Sequence, residues 1–208
     1  MVVASEGENT MSKKLISILG AMLLAVPAVL APVEAAGLKT HMSAVFGAKT
    51  PPGARSICGR YSWACARRSS GRIMDDKQVL KLAKQINSKV NRMIKGRSDR
   101  ALYGVEERWV LPVNGAGDCE DYALMKKKML IEAGVAPNKL LLTQVITRRG
   151  VPHVVLTVRT KRGDYMLDNL RSSVSHWRRT GHTVLKMQRP TNPARWDAIL
   201  LGPRARRT

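Results

Sequence analysis

The chain has 208 residues, room for one domain with a full hydrophobic core or for two very small ones. Hydrophobic residues make up 44%, which excludes a wholly disordered polycation, while 36 Lys and Arg against 15 Asp and Glu leave a formal charge of +21. Three cysteines exclude a disulfide-dense scaffold and four scattered histidines exclude a Cys/His zinc module, so a strongly basic globular protein remains.

Residues 12–36 read SKKLISILGAMLLAVPAVLAPVEAA. Lys13 and Lys14 precede an apolar run, Leu15–Leu30, and small residues around Ala31, Ala35 and Ala36 follow. This order predicts a secretory signal peptide over 1–36, with Met11 an alternative start. The run holds 16 residues with Pro27 among them. A bilayer span needs roughly 20. The mature protein is expected to be periplasmic or secreted and to meet membranes only through its surface charge.

Gly37–Arg72 is rich in Gly, Pro and Ser and is expected to be a partly ordered N-terminal arm. Within it Cys58 and Cys65 lie seven apart. In an oxidising compartment such a pair closes a short loop, worth about 2–4 kcal/mol; two separate reduced thiols are the alternative. Cys119 is then the odd thiol, and a reactive role is one reason to keep it.

The main domain is expected over 73–200, with a basic tail at 201–208. Asp75 and Gln78 have the spacing of a capping box, and Val79, Leu82, Ala83, Ile86, Val90, Met93 and Ile94 follow at helical spacing up to Gly96. A connector carrying Trp109, Pro112 and Gly115 leads to a second helix at GDCEDYALMKKKMLIEAG, with acidic residues in its first turn and Gly134 as its stop. Tyr122, Met125, Met129 and Ala133 define its expected inward face. After Pro137 the pattern becomes extended: LLLTQVIT (140–147), HVVLTVRT (153–160) and YMLDNL (165–170) are strands separated by turn residues. The remainder is basic and holds Trp177 and Trp196, with His176 and His182 read as surface or packing residues. Two helices followed by an antiparallel sheet make an α+β layout.

Three features of this layout carry chemistry. Cys119 falls in the first turn of a helix, where free N–H groups and the dipole are expected to lower a thiol pKa. His153 opens one strand, and Asp168 stands on the next. In an antiparallel hairpin these two share a face if the paired numbers have an odd sum; an Arg162-Gly163 turn gives that parity with an offset of four residues. Asp168 would then orient His153, and His153 would activate Cys119 for attack on an acyl carbon. The backbone N–H of Cys119 is one oxyanion donor, with Asn114 a candidate for the second and Trp109 a weaker one.

GDCEDYA followed by a lysine-rich helix, then a His-Val-Val-Leu strand, then LDNL, resembles the bacterial transglutaminase-like cysteine proteinases over about Trp109–Leu170. The resemblance implies a papain/transglutaminase-like core, with the nucleophile helix packed on an antiparallel β-sheet, and a triad of Cys119, His153 and Asp168. In the LapG-type branch, periplasmic proteases that trim large surface adhesins, calcium is held by acidic residues that map onto Asp118 and Glu120; hard oxygen ligands suit that ion. The triad itself requires no cofactor. The segment WVLPVNGAG departs from that branch in lacking an acidic stretch.

Basic clusters, among them Lys126–Lys128, Arg148-Arg149, Arg171 and the C-terminal arginines, read as a solvated surface or as attraction to an anionic envelope component or acidic protein. With few aromatics interleaved, nucleic acid is not an expected partner. The leading expectation is an exported thiol peptidase that hydrolyses a peptide or isopeptide bond in an envelope or surface protein. Acyl transfer to an amine, a wall-peptide amidase and a non-catalytic basic envelope-binding module are the rivals.

Overall fold

The computed structural model describes residues 40–68 and 74–205. The leader expected at 1–36 and the last three residues of the basic tail lie outside the described residues. In chain order the elements are β1 (Phe46–Ala48), α1 (Ile57–Arg60), α2 (Asp76–Met93), β2 (Lys95–Gly96), α3 (Asp99–Tyr103), β3 (Ala116–Gly117), α4 (Cys119–Glu132), β4 (Leu140–Ile146), β5 (Pro152–Thr160), β6 (Gly163–Leu167), β7 (Ser175–His176), β8 (Thr183–Arg189) and β9 (Asn192–Leu201). Short 3-10 turns flank α1 and precede β4.

Asp75 caps α2 as its sequence indicates: its side chain accepts from the Gln78 N–H at 2.8 Å, and the Gln78 side chain reaches back to the Asp75 N–H. The buried face of α2 is Val79, Ala83, Ile86, Asn87 and Val90. Helix α4 is buried nearly all round, because α2, β5 and the turn at 62–65 surround it. Amphipathic periodicity therefore fails there, and Lys126 and Lys127, expected on a solvated surface, are buried. Lys127 Nζ donates to Gln188 Oε1 at 2.7 Å. Gln188 also accepts from the Leu142 N–H and donates to the Pro193 carbonyl, so the pair is satisfied inside the core.

Seven strands form an antiparallel sheet in the order β1-β9-β8-β4-β5-β6-β7, and β2 pairs with β3 in a separate parallel pair. Alternation along β4 sends Leu140 and Leu142 into the core beneath α2 and α4, and Leu141 and Val145 into a second core on the opposite face. The sheet is larger than the three strands expected. The chain after Arg171 adds β8 and β9, where Lys186, Gln188, Arg195 and Asp197 interrupt the apolar alternation.

Residues 40–68 are also more ordered than an arm. Phe46 pairs with Ala198, Met42 enters the second core, and Ala54, Ile57 and Ala64 enter the first. Their Gly- and Pro-rich turns are too short to show a period, yet each turn buries one apolar side chain. Cys58 and Cys65 are joined in a disulfide there, with Cα atoms 5.4 Å apart.

Candidate active site

The strand order gathers one end of the sheet. Ile146, last in β4, pairs with Pro152 at the start of β5 and with Thr183 at the start of β8. The end of β6 returns to the same place, and α4 begins against β5. Chain starts and ends that are far apart in sequence meet at this edge.

The β5–β6 hairpin pairs Leu156 with Leu167 and Thr160 with Gly163, so its turn is Lys161-Arg162, one residue earlier than expected. The parity is the expected one and the offset is halved. Gly163 explains the shift: its φ is +132°, and a Cβ there would lie 2.7 Å from the Thr40 carbonyl oxygen. His153 Nε2 and Asp168 Oδ1 are 2.9 Å apart, both side chains buried. A second imidazole, expected from the sequence to be a surface or packing residue, shares the carboxylate: His182 Nε2 is 3.0 Å from Asp168 Oδ2. The Leu170 N–H donates to Oδ1 at 2.9 Å. Burial alone would raise the Asp168 pKa, but the hydrogen bonds from His153, His182 and Leu170 outweigh it and hold the group well below the usual carboxylate range. Asp168 is thus an ionised acceptor with donors on both oxygens.

Cys119 is the first residue of α4 and a free thiol. Its sulfur donates to Glu120 Oε2 at 3.1 Å and meets the backbone N–H of Val154, the neighbour of His153. The helix start was expected to lower its pKa. Instead burial and the adjoining Glu120 carboxylate push it up, and the hydrogen bond from Val154 only partly opposes them.

On the other side of the sulfur, carboxylates converge. Oxygens of Asp99, Asp118 and Glu120 lie within 4.8 Å of one another. Asp118 and Glu120 are the expected pair; Asp99 comes from the start of α3, 19 residues upstream, and its N–H donates to Asp118 Oδ2 at 3.2 Å. Asp121 stands behind them, accepting from the Val110 N–H at 3.1 Å. It approaches so closely that a Cβ on Gly117 would fall 2.5 Å from Asp121 Oδ2. Burial drives these pKa values up, Glu120 to about 9, Asp121 to about 7 and Asp99 to about 6, with charge repulsion from Asp118 adding to each. Among the described residues Asp99 Oδ1 and Asp118 Oδ1 are buried without a hydrogen-bond partner. Orphaned carboxylate oxygens of this kind fit a hard divalent cation such as calcium.

The two candidates for a second oxyanion donor fare differently. Asn114 occupies the exposed turn from Val113 to Ala116 with a φ of +52°, and no hydrogen bond ties it to another described residue. Trp109 is a core residue: its indole N–H is committed to Glu107 Oε2 at 3.0 Å, and its ring meets Trp196 edge-on.

A helix that opens on a cysteine, packed on an antiparallel sheet with a His–Asp pair at its edge, is the transglutaminase-like arrangement. Residues 46–202 match the bacterial transglutaminase-like cysteine proteinases, BTLCP, and the chain belongs to that family. Among solved structures, calcium-bound LapG of Legionella pneumophila is 25% identical, with 54% of this chain and 66% of that chain covered and a TM-score of 0.47. LapG of the same organism after EGTA treatment is 23% identical, with 54% and 64% covered and a TM-score of 0.46. The match therefore spans less than two thirds of LapG's length. No curated protein matches the chain.

Proposed function

We propose that the protein is an exported thiol peptidase whose triad is Cys119, His153 and Asp168. The observation that supports this most is the 2.9 Å contact between buried His153 Nε2 and Asp168 Oδ1, made beside the strand residue whose N–H meets the Cys119 sulfur. Because Asp168 is ionised, His153 Nε2 carries a proton toward it and Nδ1 keeps a lone pair. Nδ1 takes the thiol proton, and the sulfur attacks the acyl carbon of the substrate. The oxyanion is received by the Cys119 backbone N–H at the helix start, where N–H groups have no intrahelical partner. His153 then passes its proton to the leaving amine, and water hydrolyses the thioester to free acid and thiol.

Asp99, Asp118 and Glu120 are the residues that would hold a calcium ion, with Asn114 left as the candidate for the second oxyanion donor. When bound, the ion would neutralise the carboxylates that crowd the sulfur. The substrate is a protein of the envelope or cell surface, a surface adhesin among the candidates. The signal-peptide pattern of residues 12–36 supports export, and among the described residues no helix is long and apolar enough to cross a membrane.

The test is to incubate parent and Cys119→Ala proteins with surface proteins of the same cell, with methylamine present, and to read new chain ends by mass spectrometry. New N-termini with free carboxyl partners, made by the parent alone, are the expected result. Methylamides in their place would assign acyl transfer. Equal patterns for the two proteins would overturn the proposal and leave a binding module.

A further inference from the structure

A cavity of about 560 Å³ opens beside His153, Asp168 and His182. Its walls are the β4–β5 turn, with Arg148, Arg149 and Val151, and the loop after β6, with Leu170 and Arg171. Among the described residues Asp168 is the only acidic side chain lining it, and that carboxylate already has donors on both oxygens. Among the described residues none of the three arginines belongs to an ion pair.

The walls are fixed by their backbones. Thr147 N–H donates to the Val151 carbonyl at 2.9 Å, and Val151 N–H returns a bond to Thr147 Oγ1 at 3.1 Å. The Arg171 carbonyl accepts from the side-chain amides of Asn87 and Asn91, each at 3.0 Å. Arg204 donates to the Arg148 carbonyl at 3.0 Å and holds that residue's backbone in place. Two of the most exposed large apolar side chains in the described residues, Val151 (56%) and Leu170 (63%), stand among these arginines.

We infer that this cavity is a substrate subsite for an acidic peptide segment, one that sets Asp or Glu side chains against Arg149 and Arg171 and an apolar side chain between Val151 and Leu170. The inference rests on the peptidase reading in one respect: it is that reading which places the bond to be cut next to this cavity. Guanidinium groups bind carboxylates through paired, charge-assisted hydrogen bonds. The field of a basic wall also speeds the encounter with an anionic chain, in a salt-dependent way. An anionic polysaccharide would use the arginines but would leave the two apolar side chains without contact, so a peptide is favoured.

The experiment uses the full-length Cys119→Ala protein, which binds without turnover, and two fluorescent peptides of equal length and equal apolar content. One carries Asp and Glu; in the other these are Asn and Gln. Anisotropy titrations at low and physiological salt should show the acidic peptide bound about tenfold or more tightly, a difference of ~1.4 kcal/mol. Arg149→Glu with Arg171→Glu should abolish that preference, whereas Lys81→Glu with Lys84→Glu, the same change in charge on the exposed face of α2, should keep most of it. The single Arg149→Gln protein, its melting temperature compared with the parent, should lose part of the preference and guards against misfolding of the double variant. Equal losses from the two double reversals would overturn the inference. So would competition by polygalacturonate as strong, per carboxylate, as that of the acidic peptide. Cleavage of surface proteins without this peptide preference would remove the subsite and leave the peptidase; binding preference without cleavage by the parent would do the reverse.

Discussion

The carboxylates at the start of α4 and the one at the strand ends behave in opposite ways. At the start of α4, Asp99, Asp118, Glu120 and Asp121 crowd together with too few donors, and burial raises three of their pKa values. At the strand ends Asp168 is just as deeply buried, yet two imidazoles and a backbone N–H keep it ionised. The lesson is that donors, not depth, decide whether a buried carboxylate keeps its charge. In a chain with 15 acidic and 36 basic residues, four of the former gather at the start of α4, while three arginines line the cavity beside Asp168.

The largest break in this contrast comes from Asp168→Asn. An amide can present its N–H₂ to His153 and reverse the tautomer, so kcat for surface-protein cleavage should fall by ~10³–10⁴-fold with KM little changed. Steady-state kinetics read this, and a loss below tenfold would deny Asp168 its orienting role. On the acidic side, Asp99→Asn should weaken calcium binding by roughly 10- to 100-fold, on the scale of losing one group from a coordination set. Thermal melts in calcium against EGTA measure it: the parent should gain ~2.7 kcal/mol at a hundredfold excess over Kd, and the variant less. Identical calcium shifts in the two proteins would remove Asp99 from the site.

His182→Ala is expected to cost about tenfold in kcat, since removing one of two hydrogen-bonded imidazoles leaves Asp168 ionised but free to turn. His182→Gln, which retains an N–H donor, should recover most of the rate; rescue by Gln separates positioning from packing. Lys127, inside α4 and away from those carboxylates, bears on stability and leaves the catalytic rate alone. Burial pushes its pKa down to about 7 from an ordinary 10.5. Between those values the unfolded chain binds the extra proton, so stability rises with pH, by up to ~1.4 kcal/mol per unit. Lys127→Met should flatten this part of the curve in urea titrations at neutral and alkaline pH. An unchanged slope would place the proton elsewhere.

Much of this edge was legible in the residues themselves. A capping box announces α2, turn residues delimit the hairpin, and a two-residue turn there gives the parity that sets His153 and Asp168 on one face, though not the register itself. The missing parts share a physical cause: they depend on contacts between distant segments. His182 reaches Asp168 only because β8 lies beside β4, and β8, with its Lys186 and Gln188, has no clean alternation to announce it. Asp99 joins Asp118 from a five-residue helix too short to show a period, although Ser98 does mark its start as an N-cap. The thiol's raised pKa was missed because a helix dipole was weighed without the desolvation and the neighbouring carboxylate that oppose it.

The margins of the large sheet have their own consequence. They are closed by β1, three residues long, and β7, two residues long. Such stubs expose few free N–H and C=O groups to a passing chain, so they offer a poor template for strand addition. Short margins of this kind limit edge-to-edge annealing with extended segments of other chains.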